Sequence, residues 1–306
     1  MSKRILFMGT PDYATTIFKE LLSSDYEVIG LFTQPDKPVG RKQVLTPPHI
    51  KQFCIDSNLD IPIFQPLKLR GNEEAKKQIE DLKPDFIIVA AYGQILPKEI
   101  LDIAPCINLH ASLLPKYRGA SPIQESLLND DFYTGVTSML MEEGLDSGNI
   151  LALQYLKITP MMEVSEAFEK LSLIAAKLTI TTLDNFENIK PIKQNEAEVS
   201  FCKKIKKEDG LVNFLDAKKL YLKYKAYSFW PGVFLESELK IKDIELNEEK
   251  SINNQGQILE INDEFIIVGC EKGSLKIKTL QAPSKKAINS IDFIRGQRLE
   301  INSILI

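Results

Sequence analysis

The chain is poor in the residues that build metal centres and covalent frameworks. Among 306 residues it contains two histidines and four cysteines. The cysteines lie far apart in the sequence, at Cys54, Cys106, Cys202 and Cys270. Paired spacing such as Cys-x-x-Cys is absent, which argues against a disulfide framework and a zinc knuckle. We therefore expect a cytoplasmic protein that uses no metal.

Long apolar runs and a leader pattern are also missing. The longest apolar runs, such as residues 86–91, are far shorter than the roughly 20 residues that span a bilayer. The first four residues run directly into a strand-like stretch, without the apolar core and cleavage site of a signal peptide. We therefore expect no membrane partner.

The chain also lacks the glycine fingerprint of dinucleotide-binding proteins. Its first apolar run, Arg4–Met8, ends in the tetrapeptide Gly9-Thr10-Pro11-Asp12. The fingerprint needs three glycines because they let the backbone approach a pyrophosphate, and this turn has only one. A nicotinamide or flavin dinucleotide therefore has no support in the sequence.

The composition itself is that of a globular protein large enough for two domains. Hydrophobic residues make up 44% of the chain and charged residues 26%. The net charge of −4 divides into −7 for residues 1–200 and +3 for residues 201–306. A basic final third is compatible with a polyanionic partner, although solvated lysines explain the charge better when it is taken alone.

The first 190 residues alternate between strand and helix patterns. Near-continuous apolar strands are predicted at Arg4–Met8, Glu27–Phe32 and Phe86–Ala90, with helical spacing at 13–23 and 163–186. Apolar strands separated by helices are typical of a mostly parallel sheet covered on both faces. We therefore predict an α/β, doubly wound, Rossmann-like N-terminal domain over residues 1–189, with ligands at the carboxyl ends of its strands.

The pattern changes after residue 190. Residues 190–207 read as a linker, and a helix is predicted at Lys218–Tyr227. Short alternating segments then follow the spacing of strands, at residues 239–242, 257–261, 265–268 and 275–278. The sequence therefore predicts a smaller C-terminal β-barrel, OB-like domain over residues 208–306.

Two side chains in the predicted strand Cys106–His110 are candidates for catalysis. The period of two in a strand places Asn108 and His110 on the same face, near the carboxyl end of the strand. An amide and an imidazole that point together suit a reaction in which negative charge develops on a carbonyl oxygen. A structural histidine remains the alternative reading at this point.

An acidic residue follows at a position where it could join this pair. Asp146 lies in a turn bracketed by Gly144 and Gly148, and such a turn can direct a side chain into a cleft. It would orient His110 or relay a proton through water. A simple turn residue is the alternative.

These residues belong to a longer pattern that resembles the 10-formyltetrahydrofolate-dependent formyltransferases. The central motif is Asn108-x-His110-x-Ser112-Leu113-Leu114-Pro115-x-x-x-Gly119, joined by Asp146-Ser147-Gly148. Residues 7–14, 33–41, 116–124, 229–232 and 283–287 are similar to segments of the members that formylate Met-tRNA. The resemblance covers essentially the whole chain.

The resemblance implies a role for each part of the motif. It implies that Asn108, His110 and Asp146 are catalytic. The folate donor would contact a turn and two apolar residues before it: Ser112, Leu113, Leu114, Pro115, Ile95 and Leu96. Initiator Met-tRNA would contact five basic residues: Arg41, Lys42, Lys206, Lys285 and Lys286. It further implies a monomer with 10-formyltetrahydrofolate as formyl donor and no metal.

Three other functions remain open from the sequence. A sugar-nucleotide N-formyltransferase would share the catalytic motif but would not need a basic C-terminal domain. A formyltetrahydrofolate hydrolase would deliver the formyl group to water. A non-catalytic tRNA- or folate-binding protein would have no need for all three of Asn108, His110 and Asp146.

Overall fold

The computed structural model describes residues 2–40 and 42–305, which form two compact units. The first unit comprises Met1–Pro122, Tyr133–Lys157 and Phe168–Cys202. The second comprises Ile123–Phe132, Ile158–Ala167 and Lys203–Ile306. The predicted domain boundaries, at residues 189 and 208, stay predictions.

The first unit contains eleven strands among its described residues. They are β1 (Arg4–Gly9), β2 (Glu27–Phe32), β3 (Lys37–Val39), β4 (Val44–Thr46), β5 (Ile63–Phe64), β6 (Phe86–Ala90), β7 (Cys106–His110), β8 (Arg118–Gly119), β9 (Tyr133–Leu140), β10 (Asn149–Lys157) and β11 (Phe201–Cys202). Seven of them form one sheet in the order β10-β9-β7-β6-β1-β2-β5. The pairings from β5 to β7 are parallel, and β9 is antiparallel to both of its neighbours.

Helices connect the strands along the chain. They are α1 (Asp12–Leu22), α2 (His49–Asp56), α3 (Glu73–Leu82), α4 (Lys98–Leu101), α5 (Pro122–Leu128), α6 (Val164–Asn185), α7 (Ala217–Tyr227) and α8 (Ser290–Gln297). Short 3₁₀ turns lie at Phe186–Asn188, Glu196–Glu198 and Lys207–Gly210. The continuous apolar runs of β6 and β7 have the expected cause, because every residue of these two central strands is buried.

The predicted α/β architecture of the first unit is confirmed. The strands expected at 27–32, 86–90 and 106–110 have the predicted bounds, and β1 extends one residue further, to Gly9. Gly9 makes this possible because an added Cβ would lie 2.6 Å from the Cβ of Ala14 and 3.0 Å from the carbonyl oxygen of Ala90. A small residue is therefore required where β1 passes into α1.

The second unit is an antiparallel β structure with its own core, as the sequence predicts. Its strands are β12 (Val233–Phe234), β13 (Lys240–Glu248), β14 (Ile258–Ile261), β15 (Ile266–Gly269), β16 (Ser274–Gln281) and β17 (Ile288–Asn289). They pair in the order β12-β13-β16-β15-β14, and β17 pairs with β16. Leu275 and Ile277, which alternate along β16, are buried in the core of this unit together with Ile241 and Ile244 of β13. The predicted strands are confirmed, although β13 and β16 are longer than the periodicity indicates.

The long loop between Gln34 and Pro48 contains a two-stranded hairpin of β3 and β4. Its base is fastened by the ammonium group of Lys51, which lies 2.9 Å from both carboxylate oxygens of Asp36. Gln65 donates from its amide to the Gln34 carbonyl and to Asp36, each at 2.8 Å. The hairpin therefore extends from an ordered polar anchor.

None of the helices in the described part of the chain combines the length and apolar character needed to cross a bilayer.

All four cysteine thiols are buried, and burial raises the pKa of Cys106 and of Cys270 to about 12. A cysteine reacts with thiol reagents as its thiolate, which is the nucleophile, and a raised pKa lowers the thiolate fraction. We therefore expect the native protein at pH 8 to react very slowly with a disulfide reagent. The urea-unfolded chain should react at once and release four equivalents of the reagent's own thiolate. Absorbance of the released thiolate measures both rates. Rapid reaction of one thiol in the native protein would contradict this burial.

Candidate active site

The pairing of β7 with its neighbours places Asn108 and His110 at the end of the parallel part of the sheet. Asn108 lies opposite Val89 of β6 and Met139 of β9, and His110 lies opposite Thr137 of β9. Both side chains are almost fully buried, with exposed fractions of 9% for Asn108 and 6% for His110. Two polar side chains thus occupy an otherwise apolar strand, and buried polar groups of this kind need partners.

The turn after β7 is fastened to β9 by one threonine. The hydroxyl of Thr137 donates to the carbonyl oxygen of Ser112 at 2.7 Å and accepts from the amide of Leu114 at 3.1 Å. Ser112 closes the turn from within, because its own hydroxyl donates to the carbonyl oxygen of Lys116 at 2.6 Å. The peptide bond between Leu114 and Pro115 is cis.

Asp146 reaches the end of β7 from the turn between β9 and β10. Its φ of +49° places it in the left-handed region, which costs a non-glycine residue roughly 1–2 kcal/mol. Close backbone packing explains the adjacent glycine, because a Cβ on Gly148 would lie 1.9 Å from the carbonyl oxygen of Leu140. The amide of Gly119 donates to Asp146 Oδ2 at 2.8 Å and holds the carboxylate.

The structure brings Asn108, His110 and Asp146 together. His110 Nδ1 lies 3.7 Å from Asp146 Oδ2, and Asn108 Nδ2 donates to Asp146 Oδ1 at 3.4 Å. On the other side of the ring, His110 Nε2 lies 2.9 Å from the carbonyl oxygen of Tyr117. A carbonyl oxygen only accepts hydrogen bonds, so Nε2 carries a hydrogen. Nδ1, which faces the carboxylate, is therefore the nitrogen that gains or loses a proton.

The residues predicted to bind folate lie in two places within the first unit. Ser112, Leu113, Leu114 and Pro115 form the turn fastened to β9. Ile95 and Leu96 follow β6, where Leu96 belongs to the apolar core and the Ile95 side chain is 66% exposed. Only Ile95 of this pair therefore offers an accessible apolar surface, and the folate contacts stay predictions.

The basic residues predicted to contact tRNA are surface residues where the structure describes them. Lys42 is exposed in the turn between β3 and β4, whereas Arg41 lies outside the described residues. In the second unit, exposed Lys206 precedes a 3₁₀ turn, and exposed Lys285 and Lys286 lie between β16 and β17. Their contacts with tRNA likewise stay predictions.

Sequence reasoning missed the residues that hold the catalytic candidates in place. The Tyr117 carbonyl, the Gly119 amide and Thr137 act through backbone groups or through a single hydroxyl, and no residue pattern announces such contacts. Gln194 was missed for another reason, since it lies in a segment that reads as a linker. It is buried and donates to the carbonyl oxygens of the Asp146 turn.

Two models of known protein families match this chain, one over its N-terminal part and one over its C-terminal part. The model of the formyl transferase family matches residues 3–183, which include all three catalytic candidates. The model of the formyl transferase C-terminal domain matches residues 204–298. The chain belongs to the formyl transferase family.

Full-length relatives have a more specific name than the family. A methionyl-tRNA formyltransferase from a Nitratiruptor species is 59% identical over 298 residues, covering 97% of this chain and 98% of the relative. The methionyl-tRNA formyltransferase from Wolinella succinogenes is 52% identical over 303 residues, covering 99% of each chain.

Solved formyltransferases share the fold at much lower identity. The sugar 3N-formyltransferase WlaRD is 18% identical with a TM-score of 0.67, covering 94% of this chain and 99% of that one. HypX from Aquifex aeolicus in complex with tetrahydrofolic acid is 18% identical with a TM-score of 0.65. It covers 96% of this chain, which spans about half of HypX (47%).

The described residues contain no group of three or more His, Cys, Asp or Glu side chains that could hold a metal ion. The side chains at the end of β7 are instead two nitrogen donors and one carboxylate. Hydrogen bonding and proton exchange are what this set offers.

The fastening of the 112–115 turn can be tested with Thr137→Val, which keeps the shape and removes the hydroxyl. Two buried backbone groups, on Ser112 and Leu114, would lose their partner. We expect the free energy of unfolding in urea to fall by about 2–4 kcal/mol. Thr182→Val is the matched control, because buried Thr182 donates only to the helical carbonyl of Leu178. Equal losses in the two variants would show that Thr137 does not fasten the turn.

Proposed function

We propose that this chain transfers the formyl group of 10-formyltetrahydrofolate to the α-amino group of methionine on initiator tRNA, for translation initiation. One observation carries the proposal. Relatives that are 52–59% identical over nearly the whole chain are named methionyl-tRNA formyltransferases. Sugar N-formyltransferases share the fold at only 17–18% identity, and no feature of the described residues favours a sugar acceptor.

The formyl donor, 10-formyltetrahydrofolate, fits the residues at the site. Bound 10-formyltetrahydrofolate supplies an activated one-carbon group, and its transfer needs hydrogen-bond donors for an oxygen and an acceptor for a proton. Asn108 and His110 offer the donors, and Asp146 offers the carboxylate. The exposed Ile95 side chain and the half-buried Leu113 and Pro115 offer apolar surface for a flat ring system, whereas Ser112 and Leu114 of the same turn are buried.

The acceptor is a good nucleophile without strong activation. An α-amino group has a pKa of roughly 7.7–8.0, so on the order of a tenth is neutral at pH 7. The protein must therefore position the amine and take up the proton that it loses. Asn108 donates from its amide to the oxygen that gains negative charge, and His110 adds a second donor once its Nδ1 has taken up the proton that the amine loses. One such donor lowers the barrier by roughly 3–4 kcal/mol.

The proton has one favoured path through the side chains. Tyr117 keeps a hydrogen on His110 Nε2, so exchange takes place at Nδ1, which faces Asp146 Oδ2 at 3.7 Å. That distance is too long for a direct hydrogen bond. A water between the two groups would close the gap and pass the amine proton on. As the amine nitrogen bonds to the formyl carbon, the bond from that carbon to N10 of the folate breaks, and the proton goes to that nitrogen.

The tRNA body would be bound by lysines of the second unit. Lys206, Lys285 and Lys286 are exposed, and exposed ammonium groups attract phosphates in a salt-dependent way. Lys42, in the turn of the hairpin, and its sequence neighbour Arg41 would approach the acceptor end. We further propose that the protein works as a monomer in the cytoplasm, where charged tRNA is found.

Transfer of labelled formyl from 10-formyltetrahydrofolate to a panel of acceptors tests the function directly. The panel contains Met-tRNA, an amino-sugar nucleotide and water alone. We expect label on Met-tRNA and background levels on the other two. Label appearing only on the sugar nucleotide, or only as free formate, would refute the proposed function.

The role of His110 can be isolated because the chain has only one other histidine. His110→Ala should lower kcat by at least about a hundredfold with little change in folate affinity, since an oxyanion donor and proton carrier are lost. His49→Ala is the matched control, because the His49 side chain is 67% exposed and pairs only with Asp12. Near-normal turnover of the His110 variant would remove this residue from the mechanism.

The tRNA contacts of the second unit can be tested with the double variant Lys285→Ala, Lys286→Ala. The KM for Met-tRNA should rise and the slope of log affinity against log salt should fall by about 2, while kcat changes little. Lys76→Ala, Lys77→Ala on α3 removes the same charge from the first unit. An equal effect of the two double variants would mean that general charge, rather than this site, binds the tRNA.

A further inference from the structure

We propose that Gln194 is a positioning residue of formyl transfer, which fixes the backbone of Asp146 so that its carboxylate faces His110. The proposal rests on the proposed function. Gln194 lies nine residues beyond the end of α6, in a stretch that reads as a linker from the sequence. Its side chain is only 4% exposed, which is unusual for an uncharged amide in a polar segment.

Both hydrogens of the Gln194 amide are used on the catalytic turn. Nε2 donates to the carbonyl oxygen of Asp146 at 2.8 Å and to that of Gly148 at 2.7 Å. The two carbonyls flank Ser147, so one side chain holds the turn on both sides of its tip. No other arrangement of an amide group serves two acceptors at once, because the oxygen end has no hydrogen to donate.

A buried arginine fixes the direction of the amide. Arg118 Nε donates to Gln194 Oε1 at 3.0 Å, so the oxygen end faces the guanidinium and the nitrogen end faces the turn. Arg118 is itself buried, and Glu196 neutralises it with Oε1 at 2.9 Å from a guanidinium nitrogen. The hydrogen bond from Arg118 in turn holds the pKa of Glu196 below its usual range. The arginine is thus paired and hydrogen-bonded, as a buried charge must be.

The same network also contacts the carboxylate of Asp146. Arg118 is followed by Gly119, whose amide donates to Asp146 Oδ2 at 2.8 Å. Residues 118–119 therefore reach Asp146 twice: through the Gly119 amide to its side chain, and through Gln194 to its backbone. The short strand β11 pairs with β8 and keeps the segment after Gln194 against the same two residues.

Asp146 needs such support because its backbone is strained. Its left-handed φ of +49° is not favoured by the residue itself and persists only where surrounding contacts impose it. Release of the Gln194 contacts would let the turn relax and move the carboxylate relative to His110 Nδ1. A displacement of about 1 Å in a catalytic group can lower a rate by about a hundredfold.

The test compares two substitutions of Gln194 in the full chain. Gln194→Glu keeps the shape and the oxygen that faces Arg118, but it has no hydrogens for the two carbonyls. Gln194→Met removes both the amide oxygen that faces Arg118 and the amide nitrogen that faces the turn. We expect each to lower kcat for Met-tRNA formylation by about ten- to a hundredfold while both KM values stay within about threefold. Asn195→Ala, a change at the exposed neighbouring amide, is the matched control and should leave kcat unchanged.

A second readout needs no substrate. The amide proton of Gly119 reports its hydrogen bond to Asp146, and it should move upfield in a ¹H–¹⁵N spectrum of either Gln194 variant. Asn195→Ala should leave this resonance in place. The spectrum also shows whether each variant is folded. If Gln194→Met is not folded, Gln194→Glu decides, because it retains the partner of Arg118.

The outcomes separate positioning from a merely structural role. Folded variants with wild-type kcat and an unshifted Gly119 resonance would overturn the proposal. A loss of activity that follows only the fraction of folded enzyme, with unchanged kcat per folded molecule, would also overturn it. If the wild-type protein formylated a different acceptor, the proposed function would fail, and the kcat comparison would then be made with that acceptor.

Discussion

The hydrogen bond from the Gly119 amide to the Asp146 carboxylate is the contact on which the site depends. It joins the segment that follows β7 to the turn between β9 and β10, and so brings Asp146 to the strand that carries Asn108 and His110. One carboxylate oxygen of Asp146 faces His110, and the other faces Asn108. Together with the hydrogen bonds from Gln194 to the same turn, this contact holds a strained turn residue toward the strand.

The sheet supplies the rigid part of the arrangement. β7 is the last strand of the parallel series, and its other neighbour, β9, runs antiparallel. The site therefore lies where the direction of the sheet reverses, at the carboxyl end of a buried strand. Thr137 of β9 fastens the turn that follows β7, so the antiparallel neighbour of β7 also holds the predicted folate turn in place.

The chemistry follows from which groups are already occupied. Because Tyr117 engages His110 Nε2, only Nδ1 is available for proton exchange, and it faces a carboxylate. Asn108 keeps a second amide hydrogen beyond the one that faces Asp146. One donor and one proton-exchanging nitrogen thus remain for a reacting carbonyl group. This set suits formyl transfer to an amine that needs little activation.

Local sequence determined the strands β1, β2, β6 and β7, the alternation of strands and helices in the first unit, and the period that groups Asn108 with His110. It also contained the motif by which the family is identified. These features depend on neighbours within a few residues, where periodicity and turn chemistry act directly. The tertiary structure alone decided that Gln194, in a segment that reads as a linker, lies against the turn of Asp146. A polar segment with one buried glutamine has no periodic signal, since its order comes from hydrogen bonds to Arg118 and Asp146, which are distant in the chain.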